Sequence, residues 1–159
     1  MRDFPQAAEN FCELIDRHGE YDRGELFGSL AIQLAHDCAV AAQLPIIEPD
    51  TEGEDRSAEQ VASQSEKQLK LAASLRKKIG DMDTYWAVFD PTSKKEPDAC
   101  FLSGDLAEIY LDLMDALESH RRASATNDIY WDWRFDFRSH WARHAADALK
   151  VILFNLDAA

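Results

Sequence analysis

The stretch RFDFRSHWARHAADAL, residues 134–149, sets His140 and His144 four residues apart. At helical spacing two such imidazoles stand one above the other and can reach a single metal ion, as in the H-E-x-x-H helix of metalloproteases. Here Trp141, Ala142 and Arg143 lie between them, so the general-base glutamate is missing and a guanidinium stands beside the pair. Asp136 is a weak candidate for an added oxygen ligand, as is Asp147. One helix face rarely supplies a closed coordination sphere, and the Glu-x-x-His pattern of di-iron bundles is absent. The pair is therefore expected on or beside a wet surface, with no metal favoured and no cofactor implied.

The arginines of the same stretch are less easily placed. Projected at about 100° per residue, the chain from Asp128 towards Leu156 gathers Tyr130, Phe137, Trp141, Ala145, Ala148 and Ile152 into an apolar arc. His140 falls on the polar side and His144 at its border, whereas Arg134 falls near the centre of the arc and Arg138 within it. A buried, unpaired guanidinium is prohibitively costly, so both should either reach out along their stems or meet carboxylates. The candidates are Asp112 and Asp105, which flank the stripe of the preceding helix, and Asp37, inside the stripe of an earlier one; Glu108 and Asp115 point away. Such a network either fixes helix register or presents a planar donor fork to an anionic ligand or a partner's carboxylate. Tyr85 and Trp86, with Trp131, Trp133 and Trp141, either plug the core or, left exposed, mark a partner groove.

His120 is expected to face inward as a satisfied core residue, and nothing singles out His18 or His36. There is no Gly-rich phosphate loop or nucleophile elbow, and Cys12, Cys38 and Cys100 have no adjacent base. No motif demands an enzyme.

The elements that must carry these residues are punctuated clearly. Asp3 with Gln6, Asp22 with Glu25, and Ser57 with Gln60 have capping-box spacing, and Ser103 starts a further helix. Apolar stripes follow: Ala7, Ala8, Phe11, Leu14 and Ile15; then Phe27, Leu30, Ala31, Leu34 and Ala41; then Leu106, Ile109, Tyr110, Leu113 and Leu117. The stripe after Ser57 is thin, so that helix is expected at the edge, ending in Arg76, Lys77, Lys78 and Gly80. Residues 46–56 form an acidic loop, and YWAVFDP, residues 85–91, reads as an extended aromatic connector with room for one short strand. The expected fold class is all-α: a single-domain bundle of about five helices over residues 1–159, with the aromatic connector between helices three and four.

The chain has 159 residues, 46% of them apolar, enough to enclose a core. Thirty acidic against 17 basic residues give a formal charge of −13, which disfavours nucleic acid and anionic membrane as partners. The N-terminus lacks a signal-peptide run, and three cysteines without C-x-x-C spacing suit reduced thiols in a cytoplasmic protein.

Several stretches together resemble one bacterial family, number 5063 of the domains of unknown function. They are Tyr85-Trp86 with Val88-Phe89-Asp90-Pro91, Asp105-Leu106-Ala107 with Ile109-Tyr110 and Asp112-Leu113, Trp131-x-Trp133-Arg134-Phe135, His140-Trp141 and His144-Ala145. The resemblance covers most of the chain. It implies a small helical bacterial protein without an assigned activity, and it carries over no catalytic residue. The leading expectation is an adaptor or regulator that acts through a protein partner, basic partners included. The alternatives are an acidic immunity-type inhibitor of a basic protein, and a small-molecule-binding or metal-dependent enzyme using Arg134 and Arg138 or His140 and His144.

Overall fold

In the computed structural model, which describes residues 3–51, 58–90, 92, 94–122 and 126–159, the chain is an all-α bundle with one small hairpin. Helix α1 (Asp3–Asp16) buries Phe4, Ala7, Ala8, Phe11, Cys12 and Ile15, the i, i+3, i+4 spacing of a single face. Helix α2 (Arg23–Ala41) starts at the expected capping box: Glu25 N–H donates to Asp22 Oδ1 at 2.8 Å, and Asp22 N–H to Glu25 Oε2 at 3.0 Å. The expected Ser57 cap, residues 52–56 of the acidic loop and Pro91 lie outside the described residues.

Among the described residues helix α3 (Ala58–Ile79) inserts Leu75 and Ile79 alone fully into the core, so it is the peripheral helix its thin stripe implies. It ends at Gly80, whose φ of 70° is the left-handed conformation that a side chain disfavours. Strands β1 (Thr84–Ala87) and β2 (Asp98–Phe101) then pair antiparallel, Tyr85 opposite Cys100 and Trp86 opposite Ala99. The aromatic connector is thus one arm of a hairpin. Its second arm, DACF, offers no apolar alternation and becomes a strand by pairing with the first.

Helix α4 (Leu102–Arg122) follows directly, and its cap comes from before the hairpin rather than from Ser103. Buried Asp83 accepts from Ser103 N–H on Oδ1 at 2.7 Å, and its backbone carbonyl accepts from Leu102 N–H at 2.8 Å. Arg76 pairs with the other carboxylate oxygen at 3.3 Å. The hairpin is therefore tied to the start of α4.

The last rod departs from a uniform helix. It comprises α5 (Asn127–Asp136), a π-helical turn (Phe137–Trp141) and α6 (Ala142–Asn155). In an unbroken α-helix Trp133 and Trp141 would stand about 80° apart; the extra residue of a π turn takes back about 100°. Both indoles consequently reach the same core, 2% and 1% exposed, and Phe4 packs against each. The uniform projection placed Arg134 in the buried arc, but the buried residues before the turn are Ile129 and Trp133; Tyr130 and Phe137, which it also placed there, pack partly buried against the core. Helix α4 runs centrally, packed by α1, α3 and α6. Among the described residues no helix is long and apolar enough to cross a membrane.

Candidate metal centre

The π turn that brings Trp141 inward also carries His140 and His144 onto α4. His140 Nδ1 lies 2.6 Å from Asp112 Oδ2, and His144 Nδ1 lies 2.7 Å from Asp105 Oδ1. Each imidazole is held by a carboxylate on the adjacent helix, so each has Nε2 as its available nitrogen. His140 Nε2 faces Glu108 Oε2 at 3.4 Å. Ligand atoms of Glu108, His140 and His144 all lie within 4.8 Å of one another.

Glu108 was expected to point away from the core, and it does leave the apolar stripe. It does not face open water, because α3 covers that flank of α4: Gln68 Nε2 donates to Glu108 Oε1 at 2.7 Å. The carboxylate therefore has one oxygen fixed by α3 and the other turned to the histidines. Each of the three side chains has an oriented outer partner: Asp112 for His140, Asp105 for His144, Gln68 for Glu108.

A further partner comes from the hairpin. Tyr85 O–H donates to Asp105 Oδ2 at 2.5 Å, so Asp105 bridges a phenol and an imidazole. Burial, then this bond to a carboxylate, pushes the Tyr85 phenol up and keeps it protonated as the donor. The His144 imidazolium is favoured first by its hydrogen bond to Asp105, with burial opposing. Burial raises the Asp112 carboxyl from its ordinary value, and the His140 hydrogen bond opposes that rise. Arg143 turns away from the histidines and stacks over the Phe89 ring, 4.0 Å from its centre.

The donor chemistry fits a divalent transition metal. Zinc bound at about 2.0–2.1 Å in tetrahedral geometry needs donors roughly 3.4 Å apart. The His140–Glu108 edge has that spacing, and drawing in the remaining donors takes side-chain adjustments of about an ångström. Three protein donors leave a fourth position open, the pattern of catalytic rather than structural zinc. Among the described residues the third donor is Glu108, not Asp136.

The other sequence candidates are dispersed. The expected pairing of Arg134 and Arg138 with Asp112, Asp105 and Asp37 does not form, because each aspartate has another partner. Arg134 Nη1 donates to the Leu44 carbonyl at 2.9 Å, and Arg138 lines an exposed groove. The π turn is the cause: it moves the arc on which both were placed. Asp37 is buried on α2, taking one hydrogen bond from Gln33 at 2.9 Å on Oδ1. Its Oδ2 has no partner among the described residues, and burial pushes its pKa up to about 7. Tyr85 and Trp86 part company across the strand, the phenol inward on Asp105 and the indole 66% exposed. His120 turns inward onto Trp133 as expected, and its buried Nδ1 has no partner among the described residues. His18 ties α1 to α3, with Nδ1 at 2.7 Å from the Ile15 carbonyl and Nε2 at 2.9 Å from Ser74 Oγ.

Comparison with known proteins agrees with this architecture and assigns it no chemistry. The profile of the family described as "Domain of unknown function (DUF5063)" matches residues 1–156. No match was found among the curated proteins. Among solved structures, the crystal structure of protein BF1032 from Bacteroides fragilis is similar, with a TM-score of 0.73 at 19% identity. That likeness covers 94% of this chain and 87% of the other, and it is a likeness of fold.

Proposed function

From the premise that the chain belongs to the DUF5063 family, we propose that it is a metal-binding protein whose site is His140, His144 and Glu108. One observation carries the proposal. All three side chains are held from behind, by Asp112, Asp105 and Gln68, and one ligand atom of each lies within 4.8 Å of the others. Imidazoles whose Nδ1 is fixed by a carboxylate are the usual arrangement of histidine ligands, since the outer partner sets the tautomer and raises ligand basicity. A bound zinc would act as a Lewis acid at the open position. This chain's contribution is the geometry: α4 supplies the carboxylates, the π turn and α6 the imidazoles, and Tyr85 steadies Asp105.

Isothermal titration of Zn(II) into untagged, chelator-stripped protein tests the reading. One ion per chain is expected, with the double variant His140→Gln/His144→Gln losing at least a hundredfold in affinity. Absence of binding, or equal binding by the variant, overturns it.

Action through a protein partner in the cytoplasm is a second reading. Its support is the charge of −13, which suits a basic partner, and a groove beside Arg134 and Arg138 that exposes aromatic surface. An immunity-type inhibitor is the narrower form of that reading and draws on the same acidity.

A further inference from the structure

On the face of the last rod away from the histidines, α5 and the π turn meet the segment that follows α2. The groove between them has a volume of about 370 Å³. Its floor holds Trp131 and Phe135, stacked with ring centres 4.9 Å apart and planes 9° from parallel. Phe135 is half exposed, and Ile46 on the opposite wall is 83% exposed. Isolated apolar side chains are ordinary on a surface, but aromatics and aliphatics facing one another across a groove form a contact surface.

Two features say what would lie there. The first is charge: in a chain with 30 acidic residues, this groove is lined by Arg134 and Arg138 against the single carboxylate of Glu48. Arg134 is pre-set, since Nη1 is anchored on the Leu44 carbonyl and the rest of its fork remains for a ligand. The larger groove between α3 and α4 contrasts with it, because Lys67 and Arg122 there are balanced by Glu59, Asp115 and Glu118.

The second feature is backbone. The chain from Pro45 to Pro49 is neither helix nor strand. The last N–H to close onto α2 is that of Leu44, and the next backbone N–H with a hydrogen bond is that of Asp50, to Asp128 Oδ1. The N–H and carbonyl groups of Ile46, Ile47 and Glu48 make no hydrogen bond among the described residues. Unpaired main chain along a groove can pair with an extended peptide, while side-chain pockets select its residues.

We infer that this groove docks an extended acidic segment of a partner protein. The segment's main chain pairs with residues 46–48, an apolar side chain lies on Trp131 and Phe135, and a carboxylate meets Arg138 and the free edge of Arg134. The inference is independent of the metal and rests on the partner reading only in requiring a protein partner. It differs from that reading in the charge of what is bound.

A random heptapeptide library displayed on phage, panned against the full untagged chain, tests it. Wild type is expected to enrich peptides that place Asp or Glu beside a large apolar residue. Arg138→Gln, which leaves the Arg134–Leu44 contact untouched, should weaken the best selected peptide at least tenfold in fluorescence anisotropy. Arg134→Gln should do the same while its melting transition stays within a few degrees of wild type. The metal-ligand variant His140→Gln/His144→Gln should bind that peptide as wild type does. A basic consensus would keep the partner reading and overturn the acidic occupant; no consensus, or one indifferent to both arginines, overturns the groove as a docking site.

Discussion

At the scale of single residues, the chemistry rests on what stands behind each ligand. His140 and His144 are visible in the sequence as a pair, yet the pair alone does not make a site. Asp112 and Asp105 convert it into one by occupying both Nδ1 atoms. Asp112→Asn keeps an acceptor beside the imidazole but removes the charge that favours a basic ligand. It should lower zinc affinity roughly 10–100-fold without changing the one-ion stoichiometry, as read by calorimetry. An unchanged affinity would make Asp112 a packing residue. The two aspartates could be named from sequence because they flank an apolar stripe. Their partners could not, since the same rule that places a carboxylate at a stripe's edge does not say which helix covers that edge. Gln68 and Glu108 were hidden for this reason: both sit off the apolar faces of their helices and meet only because α3 lies along α4.

At the scale of elements, the start of α2 was legible and the phase of the last rod was not. The Asp22–Glu25 box encodes its own geometry in residues three apart, so local chemistry suffices. The π turn has no such signature, and it shifts every residue on one side of it by about 100° relative to the other. That single insertion exchanges the arginines for the histidines as the residues facing α4. Deleting Ser139, an exposed residue of the turn, should let the rod relax to a continuous α-helix. Trp133 and Trp141 would then be seven residues apart, about 20° from one another, so both indoles keep the core and the histidines still face α4. Helical circular dichroism, the urea midpoint and zinc binding should all stay near wild type. A deletion variant that stayed helical but lost zinc binding would refute the phase-setting role given to the turn. The second strand is another case of tertiary override: Asp98–Phe101 takes its conformation from pairing with β1, not from its own pattern.

At the scale of the whole molecule, Asp37 is a buried carboxylate that costs stability as the pH rises. Asp37 is 1% exposed, with Oδ2 unpartnered among the described residues, and burial raises its pKa from 3.8 to about 7. Because the native state holds this proton more tightly than the unfolded chain, the contribution is complete below about pH 4. It is lost as the pH climbs through 7. Asp37→Asn retains the oxygen that accepts from Gln33 and cannot ionise. It should stabilise the protein at pH 8 by about 2–4 kcal/mol and flatten the fall between pH 4 and 8, measured by urea unfolding across that range. An unchanged slope would mean that Asp37 is not the titrating group. The sequence placed Asp37 inside an apolar arc, which is correct, and paired it with an arginine on the far rod, which the phase shift forbids.

The central claim is that α4 and the π turn together build a metal site, and one crystallographic measurement addresses it directly. Untagged crystals grown with Zn(II), with data collected either side of the zinc absorption edge, should show one anomalous peak per chain. The peak should lie between Nε2 of His140, Nε2 of His144 and a Glu108 carboxylate oxygen, with Asp112 and Asp105 still on the two Nδ1 atoms. A peak elsewhere, or no peak while His140 stays bonded to both Asp112 and Glu108, would contradict it and leave the cluster an ion-paired seam between helices.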